Sequence, residues 1–344
     1  MRHRGPPGAE EHPPRERVPP DPGFCSRQSS NLQGAISDTC PTRLASWILG
    51  DGWQSPTSPP ARVGEMFHAL ALLPVVLHGL AAFLSLNLAV ALDSRLPLGL
   101  AWLCVPAAYV IVLCAGAVAV ARPVAGRIQE GRFQRSPADR DYLARRVHGA
   151  AWTTLFYCKP VLSLVLGSRP LRGLVLRGFG YRGSLDVTLY PDTWVRDLPL
   201  LDLADGVYVS NRATLGTNVV DGARILVSGI KLGERSVVGH LAQVGGGLVA
   251  GADVEIGQGA AVGFRVRIGD GTYVGPCAQV GHASRRGERV VLGHGVGLGD
   301  RCRIADGLSL PDGLLVPAGT RLRRQADVDA LVAPAIRPAR ALAG

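Results

Sequence analysis

Lysine is nearly missing from this chain. Lys and Arg together number 37 in 344 residues, and only Lys159 and Lys231 are lysines. The formal net charge of +10 is therefore carried by arginine. That bias fits a GC-rich gene and points to no nucleic-acid partner. Cysteine is sparse, with seven scattered residues, an odd number and no Cys-x-x-Cys pair. This pattern excludes a disulfide framework and a zinc ribbon, and it suits a reducing compartment. No apolar core follows the first arginines, so no signal peptide begins at Met1. Methionine occurs only at positions 1 and 66. Residues 1–65, rich in Pro, Gly, Ser and Arg, read as a disordered leader, and Met66 is an alternative start.

Two long uncharged runs come next. Residues 67–92 and 96–121 are each long enough to cross a hydrocarbon core of about 30 Å, and Asp93, Ser94 and Arg95 separate them. The pattern predicts a transmembrane helical hairpin over residues 66–121. Arg62 precedes it, and Arg122, Arg127, Arg132 and Arg135 follow. Positive flanks stay inside, so both ends are expected on the cytoplasmic face of the inner membrane. His78, Ser85 and Asn87 lie within the first run, and His78 and Ser85 are expected to bond to the partner helix. Residues 122–183 mix arginines with aromatics and read as an amphipathic membrane-surface linker that also caps the C-terminal domain.

Residues 232–320 repeat in sixes. Leu232, Val238, Val244, Ile256, Val262, Ile268, Val274 and Val280 begin a single aliphatic frame that continues from Leu292 to Val316. Only Ala250 and Arg286 depart from it, and glycine fills the next position twelve times in succession, from Gly233 to Gly299. The period excludes a helical heptad. It predicts a parallel β-helix in which one aliphatic per hexad stacks inward and a glycine turns the corner. Leu203, Val209 and Leu215 keep the period one residue out of register, so an irregular rung or small loop is expected over residues 221–231. Residues 326–344 form a tail, with a short helix expected over the last coil.

The hexads, written as an aliphatic, a glycine, two free positions, a small residue and a free position, resemble the hexapeptide-repeat acyltransferases. The resemblance implies a mainly β fold, a left-handed parallel β-helix over residues 184–325 with three hexads per coil. It also implies a homotrimer that uses acetyl-coenzyme A, or another acyl-coenzyme A, as co-substrate and needs no metal.

Three histidines fall in the coil, His240, His282 and His294, each third in its hexad. If every hexad stayed in the coil, His240 and His294 would share one face, three coils apart, with His282 on another. But Arg286 falls in an inward slot, where a guanidinium is very costly. Residues 283–289 are therefore expected to leave the coil as a loop beside His282. In the resembled family a histidine beside such an excursion is the general base, which selects His282, with His240 as the lesser candidate. The same resemblance suggests Ser284, Arg285, Arg289 and Arg323 as coenzyme A contacts. Gly297 stands where those enzymes often carry tryptophan. The expected reaction is acyl transfer to a hydroxyl or amine of a small-molecule, lipid-linked or saccharide acceptor.

Two other classes compete. The γ-class carbonic anhydrases resemble the coil but need converging histidines, which this spacing denies. The hairpin, linker and coil also resemble the C-terminal region of polylysine-synthetase-like peptide synthetases, which implies a non-catalytic or peptide-assembly module.

Overall fold

The computed structural model describes residues 61–95, 97–282 and 289–333. The expected leader, Ser284, Arg285 and Arg286 lie outside them, apart from the last few leader residues. Helix α1 (Ala61–Asp93) and helix α2 (Val105–Ala125) are joined by a turn and a 3-10 helix, Pro97–Cys104. Segments Leu70–Asp93 and Gly99–Ala125 are both long and apolar enough to cross a membrane. Their small residues let them pack closely: Ala81, Ala117 and Ala121 are buried, and a Cβ on Gly116 would sit 3.2 Å from Leu77. His78 Nδ1 bonds the Tyr109 hydroxyl of the partner helix at 2.6 Å, as expected. Ser85 and Asn87 differ. Each donates to its own helix, to Ala81 O and Phe83 O, because a short polar side chain reaches the carbonyl four residues back.

The linker is not helical throughout. Strand β1 (Gly131–Gln134) comes first, followed by helices α3 (Arg140–Tyr157), α4 (Lys159–Gly167) and α5 (Arg169–Gly178). Asp139 caps α3, its carboxylate accepting the amides of Asp141 and Tyr142. Pro160 and Pro170 occupy the first turns of α4 and α5, where a missing N–H costs nothing.

The first coil begins earlier than the hexads show. Strands β2 (Thr188–Leu189), β3 (Trp194–Val195) and β4 (Leu201–Leu203) already belong to the three sheets of the coil. A 3-10 turn, Leu198–Leu200, lengthens the step from Val195 to Leu203 and hides the period. Among the described residues, two faces carry seven parallel strands and the third carries six. Ladder partners in the plain coils lie 18 residues apart, as with Val238 and Ile256. Their inward side chains make the core, with Val209, Val238 and Val274 all 0 % exposed.

The frame glycines do a different job from the one expected. Among those described, only Gly281 has a positive φ. The left-handed residue of a corner is the fourth of the hexad: Leu241, Asp253, Arg265 and Cys277, or a glycine such as Gly259 and Gly271. The frame glycines are required by close approach instead. A Cβ on Gly269 would lie 2.5 Å from the backbone of Gly293 in the next coil. Gly269→Ala should therefore lower the melting temperature more than Gly271→Ala. The latter has open space, and its left-handed φ of 65° costs an L-residue roughly 1–2 kcal/mol. Equal shifts would refute the packing argument.

Two excursions interrupt the coil. Strands β5 (Tyr208–Val209) and β6 (Thr214–Gly216) continue the first two faces. The chain then makes an antiparallel hairpin, β7 (Asn218–Asp221) and β8 (Arg224–Val227), with β1 completing its sheet. This is the irregular segment that the frame shift required, beginning three residues earlier than expected. The second excursion shows in the register: Ile268 pairs with Leu292, 24 residues on, so six residues between Val280 and Leu292 stand outside the ladder.

Helix α6 (Gln325–Val332) covers the last coil with Val328 buried. The Asp327 carboxylate accepts the amides of Arg323 and Arg324, and these bonds hold its pKa below the usual carboxylate range. A depressed carboxylate stabilises above its unfolded pKa, and that contribution is lost as pH falls through the folded value. Protection factors of the amides in residues 325–332 should therefore fall in acid before those of the coil do. A uniform fall would count against the cap.

Candidate functional site

The register settles the histidines. His240 follows a first-face strand, His282 a second-face strand and His294 a third-face strand, so the three sit on three different corners. His240 and His294 do not share a face, because the six extra residues between Val280 and Leu292 shift every later residue by one side. His282 is exposed, and its amide donates to Asp306 Oδ1 at 2.7 Å. It stacks beneath Gly263, whose Cβ would meet the His282 amide nitrogen at 2.9 Å.

Both excursions leave from the corner that carries His282, three coils apart, or about 14 Å at the spacing of β-strands. Between them lies a groove of about 290 Å³, lined by Lys231, Arg265, Arg267 and Arg289 with Glu130, Ser228 and Gly229. Glu130 is committed to the hairpin's return: Oε1 accepts the Gly229 amide and Oε2 the Ser228 hydroxyl. Lys231 faces Asp202 at 3.6 Å, while Arg265, Arg267 and Arg289 make no ion pair among the described residues. The groove therefore presents three guanidinium groups with no carboxylate partner among those residues, a donor set that matches phosphate.

Of the residues suggested by sequence, Arg289 lines this groove and His282 stands at the other end of the same excursion. Arg323 lies on the same corner near the end of the coil, its amide bound to Asp327. Lys231, Arg265 and Arg267 were not anticipated. Reading every eighteenth residue would have aligned Lys231, Val249 and Arg267 in one outward column. Glu130, some hundred residues away, gave no such signal.

His294 has a geometry of its own. Its Nδ1 accepts the Asp270 amide at 3.0 Å, with Asp270 Oδ2 at 3.3 Å, and the side chain is exposed. No group of three or more metal-ligating side chains occurs among the described residues.

Fold and site together describe a three-sided parallel β-helix carried on a helical hairpin, with a cationic groove along one corner. No protein-family profile and no curated protein matches the chain. Solved structures do. The acetyltransferase domain of PglB from Neisseria gonorrhoeae is 22% identical over 42% of this chain and 62% of its own, at a TM-score of 0.28. A point mutant of GDP-perosamine N-acetyl transferase from Caulobacter crescentus, in complex with CoA and GDP-perosamine, is 22% identical over 45% and 60%, at 0.25. Serine acetyltransferase isoform 3 from Entamoeba histolytica is 14% identical over 91% and 99%, at 0.18. The chain thus spans under two thirds of the first two. The fold assignment rests on the strand register and not on these likenesses.

Proposed function

We propose that the chain is a membrane-tethered acyltransferase that moves an acetyl or other acyl group from acyl-coenzyme A to a hydroxyl or amine. The observation that carries this reading is the sharing of one corner by His282 and the arginine groove. The His282 imidazole takes the proton from the acceptor as its oxygen or nitrogen attacks the thioester carbonyl. Collapse of the tetrahedral intermediate breaks the C–S bond and releases coenzyme A. Arg265, Arg267 and Arg289 hold the phosphates of coenzyme A, joined by Ser284 and Arg285 and, further along the corner, by Arg323. The coil is left-handed and trimeric in this reading, with the groove facing a neighbouring copy. The hairpin sits in the inner membrane with the coil on the cytoplasmic side, which favours a lipid-linked or saccharide acceptor.

The test is acyl-coenzyme A kinetics of the groove. Arg265→Gln and Arg267→Gln should each raise KM for acyl-coenzyme A about tenfold while kcat changes little. That corresponds to roughly 1.4 kcal/mol of binding per contact. Unchanged KM in both would remove the groove from the site. Absence of turnover by the native chain with any acceptor would favour the non-catalytic, peptide-assembly module.

A further inference from the structure

The hairpin does not stand free of the rest of the chain. Helix α5 meets α2 closely, since a Cβ on Gly178 would fall 2.6 Å from Val118. Arg122, the first charge after the α2 run, marks the outermost level at which that helix enters hydrocarbon. Val118 is four residues deeper, about 6 Å at 1.5 Å per residue. Helix α3 packs along both helices of the hairpin, and Cys158, where α3 meets α4, lies within electrostatic reach of Tyr109 and Cys114. Beyond the His78–Tyr109 contact, α1 extends to Asp93 for only about 22 Å. That is short of a hydrocarbon core of about 30 Å. A hairpin that spans the core must therefore carry the α3–α4 junction and α5 into the near leaflet.

The surface of these helices agrees. Tyr157, Leu164 and Leu174 are 73 %, 50 % and 70 % exposed, while Val161, Val165, Val175 and Leu176 face the core. Helices α3 and α4 bend by 92° at Cys158 and together are long and apolar enough to pass as a broken span. No Asp or Glu occurs between Asp141 and Asp186, whereas Arg169, Arg177 and Arg182 are exposed.

We propose that α4 and α5 form a wedge embedded in the leaflet on the coil's side, with Leu164 and Leu174 among acyl chains and Arg169, Arg177 and Arg182 on anionic headgroup phosphates. The wedge replaces the missing length of the hairpin. It also brings the first coil, which α3 caps, down to the membrane surface. Arginine at this depth reaches phosphate while its stem stays in apolar surroundings.

The test uses the full chain with its native cysteines replaced, in nanodiscs, carrying one bimane label at Leu103→Cys, Leu164→Cys, Leu174→Cys or Leu315→Cys. Leu103 and Leu315 are each 75 % exposed, on the hairpin and at the far end of the coil. Doxyl groups on lipid tails should quench the labels at 103, 164 and 174 and spare the label at 315. Quenching at 103 with 164 and 174 open only to aqueous iodide would overturn the wedge. A silent label at 103 would overturn the membrane hairpin itself. Adding anionic phospholipid to zwitterionic nanodiscs should raise the melting temperature of the native chain but not of Arg169→Gln/Arg177→Gln/Arg182→Gln. No difference between the two would refute recognition of anionic headgroups.

Discussion

His282→Ala should lower acyl-coenzyme A turnover by about 10²–10⁴-fold, the usual contribution of a positioned general base. The loss should fall on kcat, with KM for acyl-coenzyme A nearly unchanged, because the arginines that hold the co-substrate remain. The melting temperature should not move. His282 is exposed and its amide bond to Asp306 belongs to the backbone, which alanine keeps. His282→Gln should be as inactive as alanine, since an amide of similar reach cannot take the proton. If both variants retain turnover, His282 is not the base.

Asp197→Asn should have the largest effect on stability, roughly 3–5 kcal/mol, the cost of stranding one partner of a buried ion pair. Asp197 is 1 % exposed and Arg145 4 %. One carboxylate oxygen, Oδ2, accepts Arg145 Nε at 2.8 Å, Arg145 Nη2 at 2.5 Å and the Thr217 hydroxyl at 2.5 Å. Arg145 also donates to Asn218 Oδ1. One buried charge thus ties α3, the first coil and the root of the β7–β8 hairpin together. Asparagine tolerates the left-handed backbone at this position, where φ is 52°, so the loss reports the charge and not the turn. Thr217→Val, which removes a single hydrogen bond, should cost nearer 1 kcal/mol. A thermal midpoint for Asp197→Asn equal to that of Thr217→Val would show that the pair carries no such weight.

The coil is legible because its core is one-dimensional. An inward column with a fixed period writes itself into the sequence, and Val238, Ile256 and Val274 need no tertiary knowledge to be aligned. The register jump between Val280 and Leu292 is legible for the same reason, since Arg286 is a charge in an apolar column. The β7–β8 hairpin leaves only a one-residue slip, and its pairing with β1, some ninety residues earlier, leaves nothing. The first coil escapes the hexad count because the turn at Leu198–Leu200 breaks it. The role of the frame glycines is also hidden. A sequence does not distinguish a residue that needs an unusual φ from one that cannot carry a Cβ, and Gly269 and Gly271 look alike until the next coil is in place. In the candidate site, His282 and Arg289 follow from that break in the column. Lys231, Arg265 and Arg267 need the outward register as well.

The two excursions leave the same corner with two plain coils between them. This makes the groove a measured interval. Its length comes in rungs of about 4.8 Å, each specified by eighteen residues of repeat. Gain or loss of one plain repeat would lengthen or shorten the groove by a rung while leaving both ends chemically unaltered. A lineage built on such a chain can thus refit its cleft to a longer or shorter ligand by copying a segment, without redesigning any residue that touches it.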